Sequence, residues 1–492
     1  MTQEYDNPTP LNVSPPPPKH FDDTSSDEKN VGYLPEKVDK RQLTLMSVGG
    51  TIGTGLFLGM GSSLNNGGPG TLTGISYHGH SSVQRSDGLG EMITFMPSHG
   101  ALTNFPARFV DPALGFSVGW NYWYSFAICV AGEVTAASIV ADYWKAPVSM
   151  AVWITIFFLT ACAINFFGVK CYGEFECIFA VVKVFAITSL VVIGLVLNLG
   201  GGPTHEFIGL KYWRDPGLFR QFNDIPGATG RFLAFWSVFI QAAYSFLGTE
   251  TVALAAAETE NPRKTVPRAI KSVFYRGTGD ASSSPFVIAI NRSKIKILPD
   301  IINAVVLVSA YSATSSEVYC GSRVLHGLVM DRMAPQIFGR VNSRGTPINA
   351  LIVSALPGLL AYMNLSTKSS TVFLWLVNVS AMGGIFTWWS VCLTYIRFHK
   401  GLRARGIDRN KFDYKAPFQP YLSYYGLVML TAIVLMSGFK VFLKGNWSWG
   451  TFIGAYITVP IFGSCYLFWK LYHKTEIVRL EEMDFSVAQD HE

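Results

Sequence analysis

The chain has 492 residues, of which 49% are hydrophobic, 14% aromatic and only 15% charged. A soluble domain carries about 25% charged residues, so this chain lacks the polar side chains to cover a water-facing surface of its size. The composition and a mean hydropathy of +0.28 argue for one all-α polytopic membrane domain, each of whose spans needs about 20 mainly apolar residues, and the net charge of +6 matters through where it falls.

Residues 1–42 are polar, contain the run Pro15–Pro18 and lack the apolar stretch of a cleavable leader. They cannot bury enough surface to fold and read as a disordered tail. Lys37, Lys40 and Arg41 then precede the first span and favour a cytoplasmic N-terminus. Ten spans are legible, near 43–64, 115–140, 149–168, 177–199, 231–257, 300–322, 348–364, 372–396, 421–443 and 450–471. The membrane domain therefore covers 43–475, and 476–492 reads as a cytoplasmic C-terminal tail.

Basic clusters set the orientation. Arg263, Lys264, Arg268, Lys271 and Arg276 follow the span at 231–257, and Arg332, Arg340 and Arg344 follow the one at 300–322. A third cluster, Arg397 to Lys415, follows 372–396, and Lys470 and Lys474 close the last span. All four belong on the cytoplasmic side. Two consecutive cytoplasmic ends, after 257 and after 322, demand a further crossing between 277 and 298. That stretch offers only the apolar run Pro285–Ile290, and six residues of helix reach roughly 9 Å. A second crossing is missing between 65 and 115, where Thr71–Met92 holds His78, His80, Gln84, Arg85 and Asp87. Each charge at mid-span costs about 2.5–3.5 kcal/mol on the insertion scale. Twelve crossings are thus implied and ten are legible. Segments 71–92 and 277–298 read as damaged or missing spans from a faulty gene model, with a natural truncated variant or a new segment around His78 and His80 as the alternatives.

The first span is interrupted by Gly49-Gly50-Thr51-Ile52-Gly53-Thr54-Gly55. Four glycines in seven residues weaken a helix by about 1 kcal/mol each relative to alanine. Opened backbone survives at membrane depth only where it lines a polar cavity. Its free N–H groups bind a carboxylate and its free carbonyls an ammonium, and a zwitterionic amino acid carries both. The alternative is close helix packing through small residues. A second interruption, at Gly248 in the span 231–257, favours the paired-break reading.

The run from Gly49 to Phe57 resembles the signature of fungal amino-acid permeases of the amino acid–polyamine–organocation superfamily. So do Leu89-Gly90-Glu91-Met92, Phe246 to Glu250, Glu258 to Lys264, and Arg344-Gly345-Thr346-Pro347. The resemblance covers roughly 40–475 and fails at about 71–88 and 277–284. It implies a twelve-helix pattern, with an inverted five-helix repeat and two discontinuous helices. It also implies that Thr54 and Gly55 offer N–H groups to a substrate carboxylate, that the Thr51 carbonyl accepts from the amine, and that Gly53 keeps the break open. Tyr244, Phe246, Leu247 and Gly248 would form the second break and shape the pocket.

Charges inside spans are functional candidates by default. Glu133, Lys183 and Glu250 are such charges, assigned here to proton coupling or gating. In related bacterial transporters a Lys matching Lys183 stands where sodium sits in sodium-coupled cousins, and a buried lysine can load and release a proton. The structural alternatives are snorkelling for Lys183, a helix–helix hydrogen bond for Glu133, and capping of the resumed helix for Glu250.

The expected function is proton-coupled symport of L-amino acids into the cell by alternating access, at the plasma membrane. The partners would be the amino acid, protons and the lipid bilayer. The sequence has no metal-spaced Cys/His cluster and no nucleotide-binding loop, so no cofactor, metal, nucleic acid or enzymatic chemistry is expected. A non-transporting protein, either inactive or an amino-acid sensor, is the competing reading.

Overall fold

A computed structural model describes residues 45, 53–55, 63–64, 67–96, 100–201, 205–215, 217–245, 298–367, 369–412 and 414–485. Its main helices are α1 (Thr71–Phe95), α2 (Ala101–Phe109), α3 (Pro112–Ala141), α4 (Met150–Phe166), α5 (Val169–Asn198), α6 (Gly227–Ser245), α7 (Leu298–Met330), α8 (Ile348–Leu365), α9 (Ser369–Ala404), α10 (Tyr421–Met436), α11 (Trp449–Tyr456) and α12 (Thr458–His473).

Local chemistry sets several of these bounds. Asp111 caps α3: its carboxylate accepts from the Ala113 N–H at 2.9 Å, and Pro112 occupies the first helical position, where no N–H is needed. Gly168 joins α4 to α5 with φ of 96°, a conformation that side chains resist. Pro357 cannot donate in the helical ladder, and α8 tightens from α-helix to 3-10 geometry at Leu356. α11 and α12 form one apolar run bent by 44°.

α3 is the axis of the bundle. Of its most apolar stretch 89% is buried, against 33% for α5, so α3 is central and α5 peripheral. α7 and α9 flank α3, and α6 lies between α9 and α1. The outer face of α5 exposes Ile178, Val181, Phe185, Val192 and Leu195, a surface fit for acyl chains.

The spans read at 115–140, 149–168, 177–199, 300–322, 348–364, 372–396, 421–443 and 450–471 recur as helices with shifted ends, while most of 43–64 and residues 246–257 lie outside the described residues. α5 begins at Val169 rather than near 177, which puts Lys183 fourteen residues inside the helix and not two turns from its start. Glu176, within this added stretch, is buried with partners. The polar stretch near 71–92 is a continuous helix, α1, although it is not among the helices apolar enough to cross a membrane alone. Residues 277–297, like the rest of 246–297, lie outside the described residues.

Candidate functional site

Gly53, Thr54 and Gly55 are the described part of the glycine-rich first span, and they pack into the junction of α3, α6 and α7. A Cβ on Gly53 would lie 3.5 Å from Glu133 Oε1 and 3.9 Å from Ala313 Cβ. A Cβ on Gly55 would fall 2.9 Å from both Ser245 Cα and Tyr244 Cδ1. Real side chains do not tolerate the second spacing, so glycine lets the first span touch α6 backbone to backbone at Ser245. The glycine-rich run of the first span therefore adjoins α6 at Tyr244 and Ser245, and Gly248 lies outside the described residues.

Glu133, carried by α3, faces this junction and is 3% exposed. Its Oε1 accepts from Thr54 Oγ1 at 2.8 Å and from the Tyr244 hydroxyl at 3.0 Å. Its Oε2 is buried and has no hydrogen-bond partner among the described residues. Cys129, one turn earlier on α3, places Sγ 3.6 Å from the Tyr244 hydroxyl. One carboxylate thus ties Thr54 of the first span to Tyr244 of α6. Its second oxygen is left to accept a proton or to face an ammonium, because a buried acceptor without a partner costs about 1–3 kcal/mol.

Lys183 is fully buried, which removes the snorkelling alternative. Its Nζ lies 3.5 Å from Glu176 Oε1, and Ser312 Oγ of α7 donates to Glu176 Oε2 at 2.7 Å. Thr51, Phe246, Leu247, Gly248 and Glu250 lie outside the described residues. Thr54, Gly55, Tyr244 and Glu133 come together directly, with Gly53 against Glu133, while Lys183 stands apart with Glu176.

Sequence reasoning overlooked Glu176 and the polar lining of α7. The signal was present: Ser309, Ser312, Thr314, Ser315 and Ser316 crowd one apolar span, and all five are buried. It also gave no role to Glu91. This fully buried acid on α1 is bound by Arg409 at 2.5 and 2.7 Å, by the Tyr395 hydroxyl at 2.9 Å and by the Ala416 N–H at 2.7 Å. Among the described residues no group of His, Cys, Asp or Glu is arranged to hold a metal ion.

Comparison with known proteins agrees with the reading from sequence. The sequence model of the amino acid permease family matches residues 42–279 and 277–482. The two pieces meet inside the stretch where the resemblance had failed. The chain is 38% identical to the dicarboxylic amino acid permease of Saccharomyces cerevisiae, over 93% of this chain and 80% of that one. It is 35% identical to the proline-specific permease of Emericella nidulans, covering 97% of this chain and 95% of the relative. It is 37% identical to the lysine-specific permease of Saccharomyces cerevisiae, over 95% and 81% of the two chains. Among solved structures, a manganese transporter of Eremococcus coleocola shares the fold. The TM-score is 0.52 at 11% identity, with 91% of this chain and 98% of that chain aligned.

Proposed function

We propose that this chain, which belongs to the amino-acid permease family, carries L-amino acids into the cell by proton-coupled symport at the plasma membrane, with both termini cytoplasmic. The observation that carries the reading is Glu133. It is a buried carboxylate, hydrogen-bonded by Thr54 from the glycine-rich first span and by Tyr244 from α6, with one oxygen that has no partner among the described residues.

Opened backbone beside Gly53 and Gly55 supplies N–H groups for the substrate carboxylate, and the Thr51 carbonyl receives the ammonium. Phe246, Leu247 and Gly248 continue the site on the second break, and Glu250 caps or gates it. Glu133 reports occupancy: when the first span and α6 shift relative to α3, its two hydrogen bonds must break or exchange. Lys183 holds the coupled proton, so that loading it and filling the amino-acid site together permit the change from outward to inward access. This account involves no covalent step.

Uptake of labelled L-proline, L-glutamate and L-lysine by cells expressing the chain tests the reading. The expected result is accumulation of at least one of them, faster at external pH 5.5 than at 7.5. Lys183→Ala should remove that pH dependence, and unchanged coupling in the variant would refute the role given to Lys183. The split family match at 277–279 supports the rival, a non-transporting permease-like protein. No uptake of any of the three by a protein that reaches the surface would favour it.

A further inference from the structure

Lys183 has a companion that the mechanism above does not use. Glu176 stands seven residues earlier on α5, two turns away on the same face, and the pair is 0% and 1% exposed. Side chains on a helix lean toward its N-terminus, so the lysine reaches down toward the carboxylate, 3.5 Å away. Ser312 of α7 holds the other carboxylate oxygen at 2.7 Å. One turn further in the same direction, the Tyr172 hydroxyl donates to Ser316 Oγ of α7 at 3.0 Å. A polar column therefore runs along the α5–α7 interface, from the middle of the membrane to the end of α5 that the basic clusters place in the cytoplasm.

An ion pair withdrawn from water contributes little net stability, and apolar replacements often serve as well or better. The column has the right direction for a different task. We propose that Glu176 positions Lys183 and is the acceptor of its proton on the cytoplasmic branch of the cycle. The inference rests on the reading of Lys183 as the proton-carrying group.

In the step, an N–H bond of the Lys183 ammonium breaks and an O–H bond forms on Glu176. The ion pair becomes a neutral amine and a carboxylic acid, so no net charge is created in the membrane interior. Glu176 then gives the proton to water entering from the cytoplasm, and Lys183 is reprotonated from the outer side in the next cycle. Among the described residues, the other ionisable groups in electrostatic reach of the pair include Tyr172, one turn before Glu176 on α5, and Glu133 on α3. α4, which also packs on α5, contributes no charged residue and binds Ser315 through Asn165.

The test uses the full chain in proteoliposomes, with whichever of labelled L-proline, L-glutamate and L-lysine the parent carries best. Net uptake driven by a proton gradient is compared with exchange of labelled for unlabelled amino acid, which requires no proton release. Glu176→Gln should lose at least tenfold more net uptake than exchange and should flatten the pH profile of uptake. Glu176→Asp should restore part of the net uptake. Glu174→Gln, at an exposed position on the same turn, should match the parent in both assays. A Glu176→Gln profile identical to the parent's overturns the proposal, and so does equal loss of uptake and exchange in both Glu176 variants. Should Glu176→Gln fail to insert, Glu176→Asp decides: a shifted pH profile supports the relay and an unshifted one overturns it. A parent protein without gradient-driven uptake would instead refute the symport reading itself.

Discussion

Gly55 shows how a single residue sets the geometry of the junction. Its missing Cβ is what allows the first span to lie against Tyr244 and Ser245. Gly55→Ala pushes a methyl group into backbone at 2.9 Å, an overpacking that costs about 1–3 kcal/mol and shifts the elements it separates. The maximal rate of uptake should fall at least tenfold at normal surface abundance, and a parent-like rate would show that the close approach is not required. The same scale separates what the sequence disclosed from what it hid. Glycines in an apolar span are conspicuous, so Gly53, Thr54 and Gly55 were legible. Glu176 was not, because a Gly-Glu-Phe-Glu run beside a span reads as the polar end of a helix until a neighbouring helix supplies Ser312.

Asp331, just beyond α7, offers a test of electrostatics outside the spans. Burial raises its carboxyl from the ordinary 3.8 to about 6, while the hydrogen bond from Thr103 opposes the rise. The folded protein therefore holds this proton more tightly than the unfolded chain does. Stability from this group is complete below about pH 4 and is lost as the pH rises through about 6. Asp331→Asn keeps an acceptor for Thr103 and removes the ionisation. In a thermal melt in detergent it should unfold about 2 °C higher than the parent at pH 7.5, with the gain vanishing near pH 4. An offset equal at both pH values would contradict the assignment.

At the scale of elements, α1 was hidden and then explained. Its composition argued against a span, yet its last turns are buried and locked. Glu91 receives the two-pronged Arg409 guanidinium from the α9–α10 loop and the Tyr395 hydroxyl from α9. Tyr414 adds a bond to Asp87 at 2.5 Å. No periodicity could reveal partners more than 300 positions away in the chain. Glu91→Ala strands a guanidinium, a loss of about 3–5 kcal/mol for a buried pair, while Arg409→Lys keeps the charge but not the fork. In a double-mutant cycle on the melting temperature, Glu91→Ala with Arg409→Ala should cost clearly less than the sum of the two single changes. Additive losses would mean that the pair does not hold α1.

The molecule as a whole is organised around α3. One end is pinned by Asp111, which binds Lys470 at 2.5 Å and Tyr466 at 3.0 Å from α12. The segment after α12 returns across the same end, where Met483 is fully buried against Gly401 and Asp484 pairs with Arg108 at 2.6 Å. The sequence, reading only polarity there, had assigned those residues to a tail. Composition and apolar length disclosed the helical class and most of the described spans, because bilayer thickness acts on local sequence. Contacts that close the bundle are distant in the chain and were not disclosed.

Both the class and the proposed chemistry converge on Glu133, the carboxylate between the opened first span and α6. Gradient-driven amino-acid uptake by Glu133→Gln, measured beside the parent in proteoliposomes at an external pH of 5.5 and of 7.5, tests that convergence most directly. The account predicts that the parent accumulates substrate under the gradient and that the variant's uptake falls at least tenfold at both pH values. A variant that accumulates substrate at the parent's rate, with the parent's pH dependence, would contradict it.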